Sequence, residues 1–209
     1  PGLGCRRFGA AAQSRPAATT RTQTPRSPSG LSPPRIVWAV VLCAIGAALG
    51  WLSFAATPPR GTITDNSGPI SYTAGPFTQP NQSPVGAGQL DTGPRCDNNA
   101  FPCDSYALTV TVPAGYTTLH PNAAVKVTLG WVDAGAGQSD YDLYVYNGTV
   151  TTLNGSMAAA YQSASGANPE VATISPLAND GLPHVYTIKI VPFMPTGEIV
   201  NVRIELLPG

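Results

Sequence analysis

The chain has 209 residues, equal numbers of basic and acidic side chains (11 each), and only 11% charged residues. With 22 Gly and 22 Pro as well, this composition excludes coiled coils and long helical bundles and fits a turn-rich β protein. The neutral total hides a split: residues 1–35 carry six arginines and no acid, whereas residues 61–209 set Arg95, Lys126, Lys189 and Arg203 against all 11 acids, a net of −7. That acidic part repels phosphates instead of releasing their counterions, so no nucleic-acid partner is expected.

Residues 1–35 are rich in Pro, Ser, Thr, Ala and Arg without a hydrophobic period, and are expected to form a disordered basic tail. The next segment, residues 36–56 (IVWAVVLCAIGAALGWLSFAA), has 21 residues and no charge. As a helix it spans roughly 30 Å, the thickness of a bilayer's hydrocarbon core. Trp38 and Trp51 stand near its ends, and Arg35 and Arg60 bracket it, as interfacial aromatics and flanking cations do. The acid-free, basic N-terminal side keeps that end in the cytoplasm and sends the rest of the chain outside. Ser53 and Ala55 also offer small residues at the −3 and −1 positions of a cleavage after Ala55. The protein is therefore expected at the cell membrane as a single-pass chain with its C-terminal domain outside, or secreted if cut near Ala55. Pro1 opens the chain and the methionines are Met157 and Met194, so the natural start is expected upstream or at a non-Met codon. Nine Arg against two Lys point to a GC-rich bacterial source.

Thr57–Arg60 (TPPR) reads as a stiff linker, with one domain over residues 61–209. There the pattern is β. Apolar and polar residues alternate over Tyr106–Val112, Val125–Trp131, Tyr141–Tyr146, Tyr186–Ile190 and Val200–Leu206, as half-buried antiparallel strands require. Gly61–Thr64, Ile70–Thr73, Thr149–Leu153 and Val171–Ser175 are weaker candidates. Asn147-Gly148 predicts a two-residue hairpin, and Asn154-Gly155 and Asp180-Gly181 predict further turns. Eight or nine short strands give an all-β sandwich or a closed barrel. Cys96 and Cys103 (CDNNAFPC), in a segment expected outside the cytoplasm, predict a disulfide.

Two groups of side chains could act. Asp140 and Asp142 share one strand face and Asp133 precedes them by a loop, so the three can converge on Ca²⁺; the alternative is a solvated acidic edge. Tyr144 and Tyr146 lie on the Asp142 face and form a candidate ligand-contact face, unless a loop covers them. No nucleophile elbow, zinc-binding helix or phosphate loop is present, and His120 and His184 have no partners at catalytic spacing, so the chain reads as not an enzyme.

The stretch Trp131–Val191 resembles the bacterial pre-peptidase C-terminal domain family. The resemblance rests on the strand ending in Trp131, on Asp140-Tyr141-Asp142-Leu143-Tyr144-Val145-Tyr146, on Asn168-Pro169-Glu170-Val171 and on the closing strand His184–Pro192. It implies an antiparallel jelly-roll-like sandwich and a non-catalytic accessory module; the Tyr144 and Tyr146 face would suit a polysaccharide or a protein surface, and residues 36–56 would join the module to the membrane. The alternative is the N-terminal part of a larger secreted peptidase or glycosidase whose catalytic domain lies beyond Gly209.

Overall fold

The computed structural model describes residues 56–83, 93–97, 99–133 and 139–209. The expected tail (1–35) and nearly all of the apolar segment (36–56) lie outside these residues. Among the described residues no helix is long and apolar enough to cross a membrane.

The alternating runs become strands because each buries one side. In chain order they are β1 (Arg60–Thr64), β2 (Ile70–Ala74), β3 (Asp104–Thr111), β4 (Ala124–Gly130), β5 (Asp140–Asn147), β6 (Tyr161–Ser163), β7 (Glu170–Ile174), β8 (His184–Met194) and β9 (Val200–Leu207). A single helical turn, α1 (Tyr116–Leu119), joins β3 to β4. The strands form two sheets, one ordered β1-β3-β8-β5-β6 and the other β2-β9-β4-β7.

Between the sheets, Tyr106, Leu108 and Val110 of β3, Tyr141, Leu143 and Val145 of β5, and Ile188 and Ile190 of β8 meet the inward residues of the second sheet. Those are Tyr72 of β2, Val125, Val127 and Leu129 of β4, Ile174 of β7 and Val202 and Ile204 of β9. Tyr72 stacks on Tyr106 across the layer, with centroids 4.0 Å apart and planes within 4°. Trp131, just past β4, packs on Tyr141 at 5.1 Å.

Four expectations need correction. Pairing is antiparallel throughout except at β1, which runs parallel to β3 with Thr62 opposite Thr109. The cause lies in the expected linker, which is part of the sandwich. Ala56 is buried in the core, Thr57 pairs with Thr73 beside the second sheet, and the Pro59 carbonyl accepts the Ala107 N–H at 3.1 Å. The chain thus crosses from the edge of one sheet to the edge of the other over Pro58 and Pro59, and enters β1 already aligned with β3.

Asn147-Gly148 does not close a two-residue hairpin. Gly148 takes φ 77°, but its N–H donates to the Val185 carbonyl at 2.8 Å. The Thr187 hydroxyl donates to the Gly148 carbonyl at 2.8 Å and accepts the Val150 N–H at 2.9 Å. These bonds pin the chain to β8 and carry it over the sheet, so Thr149–Leu153 is not a strand. The partner of β5 is instead β6, with Val145 opposite Tyr161.

Candidate functional site

The disulfide forms as expected: Cys96 and Cys103 are bridged with Cα atoms 5.6 Å apart. Its loop is fastened at several points. The Cys96 N–H donates to the Leu153 carbonyl at 2.7 Å, Arg95 lies over the Phe101 ring at 4.5 Å, and Arg95 pairs with Asp97 at 2.7 Å. Beneath the loop a second apolar cluster forms on the outer side of the first sheet. It contains Tyr144, Tyr146, Leu153 and Val191, with Cys96, Cys103, Val150 and Ala159 packed against it.

Tyr144 and Tyr146, the candidate ligand-contact face, are therefore not an exposed strip. They are 5% and 2% exposed, because the disulfide loop and the 149–159 excursion cover them. Burial and the neighbouring Asp142 charge push the Tyr144 hydroxyl far above its usual range, so it stays protonated and donates to Asp142 at 3.2 Å. Lys189 is buried on this same face and donates to the Thr151 carbonyl at 3.3 Å; burial lowers its pKa, opposed by Asp104.

The three aspartates do not act as one group. Asp133 accepts the Trp131 indole N–H at 3.2 Å, and its charge acts on Tyr141. Asp140 and Asp142 are coupled instead to Glu170. Burial raises Asp140, with Glu170 adding to it, and burial and then Asp140 push Asp142 up to about 6. Glu170 is fully buried and accepts bonds from the Ser163 hydroxyl, the Ser165 N–H at 3.1 Å and the Ser165 hydroxyl at 2.7 Å. It clasps β6 to β7 where the two sheets meet. Among the described residues no three His, Cys, Asp or Glu side chains are placed to hold a metal.

Glu198 is a second buried hub. Its carboxylate accepts the Tyr141 hydroxyl at 2.6 Å, the Thr196 N–H at 2.9 Å, and the hydroxyls of Ser139 and Thr196. Burial alone would raise its pKa, but these hydrogen bonds outweigh burial and hold it well below the carboxylate range. The sequence marks Glu170 only as part of the family resemblance and offers Glu198 only as an unconvincing acid/base partner of Glu205; neither is expected from it as a buried hub. The signal is local in each case: Ser163-x-Ser165 five residues before Glu170, and Thr196 two before Glu198. Of the histidines, His184 meets Asp180 at 2.9 Å on the surface, and His120 packs on Tyr116 with ring centroids 4.5 Å apart and planes tilted by 30°; among the described residues no nucleophile is recorded with either pair.

The outer face of the second sheet is different. Ser71 and Thr73 of β2, Asn201 and Arg203 of β9, and Thr128 and Gly130 of β4 line a shallow depression of about 350 Å³. Adjacent strands lie about 4.8 Å apart and same-face residues about 7 Å apart along each strand, so hydroxyl, amide and guanidinium groups form a flat two-dimensional array. Arg203, its side chain 54% exposed, is held by Glu205 at 3.0 Å, and Lys126 reaches Glu205 at 3.5 Å. This surface suits polyhydroxylated or amide-rich partners better than apolar ones. The polar half of each alternation belonged to it, but the order β2-β9-β4 that assembles it could not be read from the chain. No protein-family model matches this sequence, and a search of curated proteins returns no match.

Proposed function

We propose that the sandwich is a non-catalytic accessory module that works outside the cytoplasm, directed there by residues 36–56, and binds a polysaccharide or protein surface through the outer face of its second sheet. One observation carries the reading: the two outer faces are treated differently. Stapled loops seal the first, and among the described residues nothing covers the second, which is flat and polar. The disulfide supports an oxidising compartment. The engagement of Glu170 and Glu198 by hydroxyl and backbone N–H donors supports the non-catalytic reading, because both carboxylates are occupied in holding the fold. The two-sheet β sandwich and the likeness of the Asp140–Tyr146 strand to pre-peptidase C-terminal domains support such a role.

The test compares the protein with Asn201→Ala/Arg203→Ala in pull-downs on insoluble polysaccharides, on peptidoglycan sacculi and on secreted-protein extracts. The reading predicts retention of the parent by one of these and at least about tenfold weaker retention of the variant, on the usual scale of hot-spot losses. Equal retention of both proteins, or of neither with folding intact, refutes it.

A further inference from the structure

Asp104 and Ala56 form an unusual juxtaposition at the start of the sandwich. Asp104 faces the core side of β3 and is 0% exposed, yet neither carboxylate oxygen has a hydrogen bond of good geometry. The Tyr72 hydroxyl beside it is likewise buried and unpartnered. What lies at the carboxylate is main chain: the N–H groups of Ser105 and Ala56. Ala56 is itself 3% exposed, and the pairing of Thr57 with Thr73, through bonds of 2.9 and 3.4 Å, fixes it in place. A buried carboxylate without a charged or well-aligned partner is costly in general. The residue whose nitrogen reaches it is the first residue after a small-x-small sequence, Ser53-Phe54-Ala55, that ends an apolar segment.

We propose that the chain is cut between Ala55 and Ala56, and that the new α-ammonium of Ala56 becomes the missing partner of Asp104. This rests on the export reading above and deepens it by naming the mature terminus. In the reaction a membrane leader peptidase adds water across the Ala55–Ala56 amide. The C–N bond breaks, Ala55 leaves as a carboxylate, and the Ala56 nitrogen takes up the proton to become –NH₃⁺. No large movement is required, because the same nitrogen exchanges one N–H for three. One of them can point to Asp104, where the Ala56 N–H already lies. The charge of Lys189, which already acts on Asp104 from β8, is too remote to form an ion pair. Processing thereby locks the edge where β1 and β2 begin, and the cut product is more stable than its precursor.

The full 209-residue chain, expressed behind an initiator methionine in an exporting bacterium, tests this. Intact mass and N-terminal sequencing of the exported protein should give Ala56 as the first residue. Its amine should react with an acetylating reagent at least about tenfold more slowly in the folded than in the denatured protein. Asp104→Asn should lower the Tm of the cut protein by about 10 °C, since it strands a buried ammonium. In a chain left uncut by Ala55→Leu the same substitution should leave the Tm unchanged or raise it. An exported chain that keeps residues 36–55, begins elsewhere, labels equally fast when folded, or responds to Asp104→Asn identically when cut and uncut overturns the inference while the export reading stands. A full-length chain retained inside the cell overturns both.

Discussion

Asn81 and Cys103 meet at 3.1 Å, the Asn81 side-chain amide lying against the bridged sulfur. The same amide donates to the carbonyls of Arg95 at 2.8 Å and Pro102 at 3.0 Å, and its oxygen accepts the Ser83 N–H at 3.1 Å. The Asn81 main-chain N–H donates to the Pro192 carbonyl at 2.7 Å. One buried amide therefore ties both ends of the disulfide loop to β8 and holds the cover over Tyr144 and Tyr146.

Asn81→Ala leaves buried carbonyls without donors and should cost about 2–4 kcal/mol in denaturant unfolding. Asn147→Ala, at an exposed position, should stay within about 0.5 kcal/mol. Equal effects would show that the loop holds without its amide tie.

A second test of the cover is Gly93→Ala. A methyl group at Gly93 would overlap the Met157 carbonyl, and the Gly93 N–H already donates to Gly155 at 3.2 Å. The two covering loops must part to admit it. We expect a loss of about 1–3 kcal/mol, with increased tyrosine exposure to solvent quenchers at Tyr144 and Tyr146.

Asp142 makes stability depend on pH. Burial first, then Asp140, pushes its pKa up to about 6, against about 3.9 in an unfolded chain. Between those values the folded protein keeps a proton that the unfolded chain has lost. The contribution is thus fully present below about pH 4 and disappears as pH rises through about 6. After allowance for solvent screening it amounts to about 1 kcal/mol, or 2–4 °C. Asp142→Asn should raise Tm by that amount at pH 7.5 and leave it unchanged near pH 4. With Asp133 turned toward Tyr141, chelator and millimolar calcium should give the same Tm.

Glu198 works with the opposite sign. Its pKa is held low in the fold, so its contribution is present above the unfolded value near 4.3 and is lost as pH falls toward the folded one. Glu198→Gln presents an NH₂ group to donors and should cost about 2–4 kcal/mol at pH 7. Melting curves from pH 7 to pH 2.5 should converge for parent and variant in acid; parallel curves would assign the low-pH loss elsewhere.

The strands were legible because Val125-Val127-Leu129 and Tyr106-Leu108-Val110 repeat every two residues, and such a repeat commits one face to the core. The parallel β1 was not, because its direction depends on Thr57 pairing with Thr73, a contact with no sequence period. β6, three residues long, carries too few alternations to register. Tyr144 and Tyr146 were correctly placed on one face with Asp142. What covers them comes from irregular segments on either side, whose course is set by Gly148, Thr187 and Asn81 through single hydrogen bonds. The polar face of the second sheet was present as the unused half of each alternating run and needed the strand order to become a surface.

The central claim, a disulfide-stapled domain working outside the cytoplasm, is tested most directly by alkylating the protein in intact cells without reductant and mapping Cys96 and Cys103 by mass spectrometry, alongside protease treatment of spheroplasts. The account predicts that both cysteines resist alkylation until reduced and that added protease reaches the domain. Two freely alkylated thiols in a domain sheltered from protease until the membrane is lysed would contradict it.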